Sequence, residues 1–330
     1  MRPSCVPIAG LFALCALACS AAPPGAPEQF TIPKGASFRA ISDTLVAHGI
    51  IGDAFTFKVL ARLRRLDRSV KAGTYRLPSH SHSWDVIEAL KKGDQLLVKV
   101  TVPEGLTVLE MAPLIAEQLA VPADSFVAAA KDTALAQGIA ASLPSLEGVL
   151  LPETYLVPQG TTARDFARIM TEEFARAWQP AWTARLDSLG LTRAQLLALA
   201  SIVEGEARVD EERAIIAGVY LNRFHRGMPL QADPTVQYAI QLKTGERKPR
   251  LLNKDYSTPS PYNTYLNPGL PPGAVNSPGL RSIEASLYPA DVPYLFFVAG
   301  ADGRHVFSRT YDEHLRAIAQ VRRNRGPVPE

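Results

Sequence analysis

The amino-terminal third of the chain repeats one pattern of hydrophobic and polar positions. Residues 30–35 form a short apolar stretch that ends in a Pro-Lys-Gly turn, and Ile41 and Leu45 follow at helical spacing. Residues 100–105 repeat this order with a Pro-Glu-Gly turn, and apolar positions at helical spacing begin again at Met111. Each copy therefore predicts a short strand, a turn and an amphipathic helix.

The stretch between the two copies completes a small α/β unit. Residues 55–66 carry apolar positions at helical spacing, and residues 73–77 have the pattern of a short strand. Residues 83–92 predict a helix that is capped by Ser83. We therefore expect a first domain over residues 30–98.

Helical patterns dominate the remainder of the chain. The second copy and its linking helices occupy residues 99–145, and a mainly helical, loop-rich domain with short strands is expected over residues 146–330. Its clearest helix runs over residues 192–207, where Thr192 and Gln195 form a capping box and one apolar stripe faces the core. The sequence as a whole predicts an α+β fold.

Two irregular segments interrupt these helices. Residues 146–155 predict an apolar, hairpin-like insertion that carries two carboxylates and a tyrosine. Residues 229–299 are rich in Pro, Tyr, Asn, Thr and Gln and are mostly loop. Loops held by a rigid scaffold are where binding residues concentrate, so these segments are candidates for a site.

Composition and charge exclude several classes of protein. The 330 residues have a net charge of +3 from 35 basic and 32 acidic side chains, unlike the concentrated positive charge of a nucleic-acid-binding protein. The three cysteines lie at positions 5, 15 and 19, so the body of the chain has no disulfide framework and no cysteine nucleophile. The histidines lack the spacing of zinc ligands. We expect neither a metal nor a cofactor.

Residues 1–19 predict an export segment. Arg2 precedes an apolar run over residues 6–18, which is shorter than the ~20 residues of a bilayer span and suits a signal sequence. The run ends in Ala-Leu-Ala-Cys, which predicts a lipoprotein with its lipid on Cys19; a short uncleaved anchor is the alternative. Residues 20–29 form a Pro-rich tether. Both alternatives predict a protein held at the cell inner membrane and facing the periplasm.

Two carboxylates near the end of the 192–207 helix are candidates for acid–base chemistry. Glu204 follows apolar residues, and desolvation there favours the protonated carboxyl group that a general acid needs. Glu206 projects about 200° further round the helix, so the two side chains cannot share one task. Without further evidence, the pattern is also consistent with a structural interpretation. In that interpretation Glu204 and Glu206 are solvated carboxylates at a helix end, and Glu206 pairs with Arg208 or Arg213.

A set of motifs gives the chain a resemblance to a known family. The motifs are Leu-Glu-Gly-x-Leu-x-Pro-Glu-Thr-Tyr at 146–155, Ala-Ser-Ile-Val-Glu-x-Glu at 200–206, Ile-Ala-Gly-Val-Tyr-Leu-Asn-Arg at 216–223, Met-Pro-Leu-Gln-x-Asp-Pro-Thr-Val at 228–236, Tyr-Asn-Thr-Tyr at 262–265, Gly-Leu-Pro-Pro-Gly at 269–273 and His-Val-Phe-Ser at 305–308. In this order they resemble the YceG/MltG family of endolytic murein transglycosylases. The chain departs from the family pattern at Gly205, where Lys is usual, and in its short leader that ends in cysteine.

The resemblance implies a LysM-like first domain and a peptidoglycan substrate. It also implies that the first glutamate of the Ser-Ile-Val-Glu motif, Glu204, is catalytic. The glycan-binding positions that it implies are Gln231, Asp233, Tyr262, Asn263, Tyr265, Glu153 and Tyr155. The implied partners are peptidoglycan strands, the membrane and peptidoglycan synthases.

The reaction implied by the resemblance is cleavage between MurNAc and GlcNAc with formation of 1,6-anhydroMurNAc ends. Glu204 would protonate the leaving oxygen and then accept the proton of the substrate's C6 hydroxyl, with Asp233 and Tyr265 as candidates to stabilise the transition state. Two alternatives stay open. One is a hydrolase that pairs Glu204 with Asp233, Glu206 or Glu153. The other is a non-catalytic, peptidoglycan-binding scaffold, which keeps strand binding in a Glu204→Gln variant.

Overall fold

The structure is a computed structural model that describes residues 25–66, 70–139 and 143–325. The predicted leader, including Cys19, lies outside the described residues, as does the first half of the tether. The chain divides after Leu96 into two compact units, so the second copy of the repeat belongs to the carboxy-terminal unit.

The amino-terminal unit combines a two-stranded sheet with helices. Its elements are β1 Pro27–Ile32, α1 Phe38–Ala47, α2 Ala54–Leu63, β2 Gly73–Pro78 and α3 Ser83–Lys92. β1 and β2 pair antiparallel with Phe30 opposite Tyr75, and these two rings stack at 5.8 Å between centroids. Leu45, Phe57 and Ile87 are buried around them. Ile41 and Leu45 lie on the buried face of α1, as their spacing predicts. The match fails on α2, where Phe55, Val59 and Leu63 are exposed although they belong to the predicted apolar face.

Side-chain capping hydrogen bonds mark the start of two of these helices. The side chain of Ser37 accepts from the backbone N–H of Ala40 at the start of α1, and Asp53 similarly accepts from backbone N–H groups at the start of α2. The predicted cap of α3 is wrong, because Ser83 is already helical and His82 precedes it without a side-chain capping bond. β1 starts at Pro27, inside the predicted tether, since Pro27 already pairs with the end of β2.

The carboxy-terminal unit is mainly helical, with two small antiparallel sheets. Its elements are β3 Leu97–Thr101, α4 Val108–Leu119, α5 Ala123–Ala129, β4 Thr154–Pro158, α6 Ala163–Ala177, α7 Pro180–Leu189, α8 Arg193–Glu206, α9 Arg213–His225, α10 Asp233–Thr244, α11 Leu280–Leu287, β5 Phe296–Ala299, β6 His305–Ser308 and α12 Tyr311–Arg325. β3 pairs with β4, and β5 pairs with β6. The predicted α+β fold class is confirmed.

The segment 146–155 differs from its prediction. It is a run of turns that leads into β4, rather than a hairpin. Because β4 pairs with β3 of the second repeat, the strand partner lies more than fifty residues earlier in the chain, at Leu97–Thr101. A local pattern cannot reveal such a distant partner.

Helix α8 is the centre of the carboxy-terminal core. Its capping box is present as predicted: the Thr192 side chain accepts from the Gln195 N–H, and the Gln195 side chain accepts from the Thr192 N–H. All residues from Leu196 to Val203 are buried, so the helix is enclosed on every side instead of showing one apolar stripe. In the part of the chain that the structure describes, no single helix is long and apolar enough to cross a bilayer.

Candidate active site

A polar cavity of about 320 Å³ opens where α8 ends. The ends of α8 and α10, the β5–β6 hairpin and helices α9 and α12 all contribute to its wall. Its polar lining consists of Glu206, Tyr220, Arg223, Gln231, Asp233, Tyr265, His305, Tyr311 and His314, and its apolar lining of Phe296, Phe297 and Ala299. Three of the residues predicted to bind substrate therefore lie together: Gln231, Asp233 and Tyr265.

Glu206 is the last residue of α8 and brings a carboxyl group to this cavity. The hydroxyl of Tyr220, on α9, donates to Glu206 Oε1 at 2.9 Å. Burial raises the pKa of Glu206 to about 7, and the nearby negative charge of Asp233 acts in the same direction. Glu206 therefore retains a proton near neutral pH, when an ordinary glutamate has lost it.

Asp233 and Tyr265 form a hydrogen-bonded pair on the same cavity. The hydroxyl of Tyr265 donates to Asp233 Oδ1 at 2.8 Å, and the ring of Tyr256 lies 4.5 Å from that of Tyr265. Burial and the charge of Asp233 raise the pKa of Tyr265, which keeps its hydroxyl a donor. Asp233 is also the first residue of α10, where the helix dipole favours its negative charge.

Close packing of α8 against α10 places Glu206 and Asp233 near each other. A Cβ atom added at Gly205 would lie 2.7 Å from Cγ of Pro234, the residue after Asp233. The absence of a side chain at Gly205 therefore lets the last turn of α8 rest directly on the first turn of α10. This contact brings Glu206 and Asp233 to one cavity.

Gln231 is held by Arg223 in an unusual backbone conformation. Its φ of 50° lies in the left-handed region, which non-glycine residues rarely adopt. Arg223 Nη2 donates to Gln231 Oε1 at 3.0 Å, and Arg223 Nη1 donates to the carbonyl of Leu230 at 2.7 Å. The side-chain amide nitrogen of Gln231 is left as the group that a ligand can contact.

Tyr262 and Asn263 support the loop rather than line the cavity. Asn263 is fully buried, and its Nδ2 donates to the carbonyls of Tyr256 and Thr258 at 2.9 Å each. Its Oδ1 accepts from the backbone N–H of Tyr265. The ring of Tyr262 packs edge-on against Tyr238 at 4.9 Å. Asn263 thus fixes the loop that carries Tyr265.

Glu204, the residue predicted to be catalytic, is not among the residues that line this cavity. Its Oε2 lies 3.2 Å from Arg213 Nη1 and accepts from the N–H of Gly279 at 3.1 Å and from the Ser282 hydroxyl at 2.8 Å. Only 8% of its side chain is exposed. Glu206 lines the cavity and Glu204 does not, because the two side chains point to different sides of α8.

Glu153 and Tyr155 lie elsewhere. Tyr155 is buried in the core, where its hydroxyl donates to the carbonyl of Leu151 at 2.6 Å and its ring packs edge-on against Phe166. Glu153 is exposed, and its carboxylate accepts from the N–H of Thr154. Neither side chain lines the cavity that contains Glu206.

Sequence reasoning missed several residues of the cavity wall. Tyr220 and Arg223 lie nearly one turn apart on α9, and both are buried polar side chains on a helix rich in apolar residues. Two polar positions at that spacing in the 216–223 motif are a signal that was available. His305 lies in the 305–308 motif, so it could have been considered. Its partner Glu212 lies 93 residues earlier in the chain and belongs to none of the motifs, so nothing in the sequence indicated the pair.

These features define the cavity as a candidate enzyme active site: it holds a carboxyl group of raised pKa, a second carboxylate and several fixed donors. The chain belongs to the YceG-like family, whose sequence model matches residues 30–320.

Individual relatives agree with this membership. The chain is 31% identical over 305 residues to the endolytic murein transglycosylase of Bacillus subtilis (strain 168), covering 88% of this chain and 83% of the relative. It is also 31% identical over 318 residues to the protein of the same name from Streptococcus pneumoniae serotype 2 (strain D39 / NCTC 7466). That match covers 88% of this chain but only 57% of the pneumococcal protein, so the chain spans little more than half of that relative.

A solved structure shares the fold. The crystal structure of a YceG-like protein from Listeria monocytogenes superposes with a TM-score of 0.59 at 29% identity. The superposition covers 88% of this chain and 99% of the Listeria chain. This chain therefore shares its fold with that YceG-like protein.

Proposed function

We propose that this chain is an endolytic lytic transglycosylase that cleaves the glycan strands of peptidoglycan. The names of the Bacillus and pneumococcal relatives support the substrate and the reaction class. The single observation in the chain itself that carries the proposal is Glu206, a carboxyl group with a pKa of about 7 in a cavity that also holds Asp233 and Tyr265.

Glu206 is the proposed general acid, in place of Glu204. A group with a pKa near the working pH is both protonated enough to donate and acidic enough to do so readily. Glu206 gives its proton to the glycosidic oxygen as the bond from the MurNAc anomeric carbon breaks. The substrate's own C6 hydroxyl then attacks that carbon, which gives a 1,6-anhydro ring without consuming water.

Asp233 is the proposed stabiliser of the positive charge that develops on the sugar. Its carboxylate faces the cavity and is held by the hydroxyl of Tyr265 at 2.8 Å. Fixed negative charge in a site of low dielectric is most effective when it requires no reorganisation during the reaction. The acetamido group of the substrate is a second candidate for this task.

A hydrolase is the second candidate function. Glu206 and Asp233 line one cavity, and two carboxylates in one cavity are what an ordinary glycosidase uses as acid and base or nucleophile. The two functions give different products. Attack by water produces a reducing end, whereas attack by the C6 hydroxyl produces a 1,6-anhydro ring. A non-catalytic scaffold gives no product at all.

Product analysis tests these functions directly. A defined, uncross-linked glycan strand is incubated with the protein, and the fragment ends are identified by mass spectrometry. We expect 1,6-anhydroMurNAc ends. Reducing ends would overturn the lyase in favour of the hydrolase, and an intact strand would leave only the scaffold.

The pH dependence of cleavage is expected to report on Glu206. Since the acid form is needed and its pKa is about 7, kcat/KM should fall about tenfold per pH unit above that value. Tyr220→Phe removes a hydrogen bond that lowers the pKa of Glu206, so this variant should move the decline to higher pH. Initial rates at constant ionic strength provide the measurement. A wild-type rate that keeps rising well above the pKa of Glu206 would contradict the assignment.

We also propose, from the sequence, that the chain is held at the inner membrane by its leader and faces the periplasm. Lipidation at Cys19 and the uncleaved anchor are both compatible with a body that reaches the glycan through the tether. Association with peptidoglycan synthases is part of the same proposal, because nascent glycan is made at that membrane.

A further inference from the structure

Glu212 and His305 form a buried carboxylate–imidazole pair beside the cavity. His305 Nδ1 lies 2.6 Å from Glu212 Oε2, and the backbone N–H of His305 donates to both carboxylate oxygens, at 3.0 and 3.2 Å. The exposed fractions of the two side chains are 3% for His305 and 8% for Glu212. Because β6 begins at His305 and Glu212 ends the 3-10 turn before α9, the pair joins a strand of the cavity wall to the start of α9.

The pair fixes which ring nitrogen of His305 is available. A carboxylate only accepts hydrogen bonds, so its contact with Nδ1 favours the tautomer in which Nδ1–H donates a hydrogen bond to Glu212. The ring is also held by Phe297, whose ring lies edge-on at 5.1 Å and 84°. Nε2 has no hydrogen-bond partner among the described residues, and His305 lines the same cavity as Glu206. Since Nδ1 is engaged by Glu212, Nε2 is the ring nitrogen that His305 can offer to a ligand in the cavity.

The proposed reaction needs a second proton acceptor. After Glu206 has given its proton to the leaving oxygen, the C6 hydroxyl must lose its own proton as it attacks. The single-glutamate scheme gives both tasks to one residue in succession. A neutral imidazole whose Nδ1–H is bound by a carboxylate is a well-suited base, because the carboxylate stabilises the imidazolium that forms.

We propose that His305, positioned by Glu212, is this second group: its Nε2 accepts a hydrogen bond from the attacking sugar hydroxyl and takes its proton. The inference rests on the proposed transglycosylase function. As the bond from C1 to the leaving oxygen breaks, that oxygen takes the proton of Glu206, and the C6 oxygen bonds to C1 while its proton passes to Nε2. The imidazolium then returns one proton to the Glu206 carboxylate through solvent, which restores the starting state.

Chemical rescue of His305→Ala tests the proposal. The full chain is assayed on uncross-linked glycan strands, and kcat is expected to fall about 100-fold with KM changed by less than about threefold. Added imidazole should raise the kcat of the variant at least about tenfold, since it can occupy the space of the removed ring. His225→Ala is the matched control, because His225 is an exposed histidine outside the cavity.

Two results would overturn the role of His305. One is a His305→Ala variant that keeps kcat within about threefold of the wild type. The other is a slow variant that is insensitive to imidazole and melts earlier than the wild type, which indicates a purely structural pair. Reducing ends or no cleavage with the wild type would instead overturn the proposed function itself, so the two failures are distinguishable.

A second variant covers the case in which His305→Ala does not fold. Glu212→Gln keeps the size of the side chain and removes its charge, and it should lower kcat by about tenfold or more. ¹⁵N spectra of the histidine rings should show that Nδ1 is the protonated nitrogen of His305 in the wild type and lose that preference in the variant. The exposed neighbour Glu211→Gln is the control. Full activity of Glu212→Gln would contradict the proposal.

Discussion

Replacing Glu206 with Gln is expected to reduce glycan cleavage by about 10³-fold, whereas replacing Glu204 with Gln should leave the rate within about threefold of the wild type. The amide introduced by Glu206→Gln keeps the hydrogen bond from Tyr220 but has no acidic proton to give to the leaving oxygen. The amide introduced by Glu204→Gln can still accept from Gly279 and Ser282, so the end of α8 should keep its place.

The measurement is the initial rate of strand cleavage for both variants, with circular dichroism and melting temperature to verify the fold. The two substitutions are matched, since both change one carboxylate to an amide within the last turn of α8. If Glu204→Gln is the inactive variant and its melting temperature is unchanged, the acid is Glu204. Loss of activity in Glu204→Gln with a lowered melting temperature would instead reflect its contact with Arg213.

The elements of this protein could be predicted well where a single local rule governs them. Apolar spacing predicted a helix at Ile41 and Leu45, where α1 lies, and gave α2 and α3 with limits within three residues of the observed ones. The capping box of Thr192 and Gln195 marked the start of α8. Each of these predictions uses contacts between residues a few positions apart. The pairing of β3 with β4 joins distant segments, and the local pattern at 146–155 was wrongly interpreted as a hairpin for that reason.

The orientation of α8 could not be predicted from its pattern. A helix with one apolar face has a known inward side, but α8 is buried all round from Leu196 to Val203. The period therefore separates Glu204 from Glu206 by about 200° without indicating which of them faces a cavity. That choice depends on α9, α10 and α11, which supply Tyr220 and Asp233 on one side and Ser282 on the other.

Hydrogen bonds within the protein also determine which of the predicted site residues face the cavity. Tyr265 and Asn263 come from one motif, yet the first faces the cavity and the second holds the loop from behind. The sequence contains the same polar groups for both tasks. Only the direction of each side chain, which the loop's own hydrogen bonds determine, distinguishes a ligand contact from a structural one.

Arg213→Ala is expected to lower the free energy of unfolding by about 3–5 kcal/mol, because it leaves Glu204 as a buried charge without its cation. The two side chains are 12% and 8% exposed, and their charged atoms are 3.2 Å apart. Arg213 also donates to the hydroxyl of Ser282 and so connects α9 to α8 and α11. Since a typical domain has only about 5–15 kcal/mol in total, this variant should be close to unfolding at about 37 °C.

A double-mutant cycle separates the unpaired charge from the lost packing. Glu204→Gln removes the charge that Arg213→Ala leaves unpaired, so the double variant should be more stable than the sum of the single changes by about 1–3 kcal/mol, measured by urea unfolding. Arg281→Ala is the control, because Arg281 is 72% exposed and its pair with Asp210 is screened by solvent. Strict additivity in the cycle would show that Glu204 and Arg213 do not depend on each other. That result would contradict the prediction that the Glu204–Arg213 pair stabilises the fold.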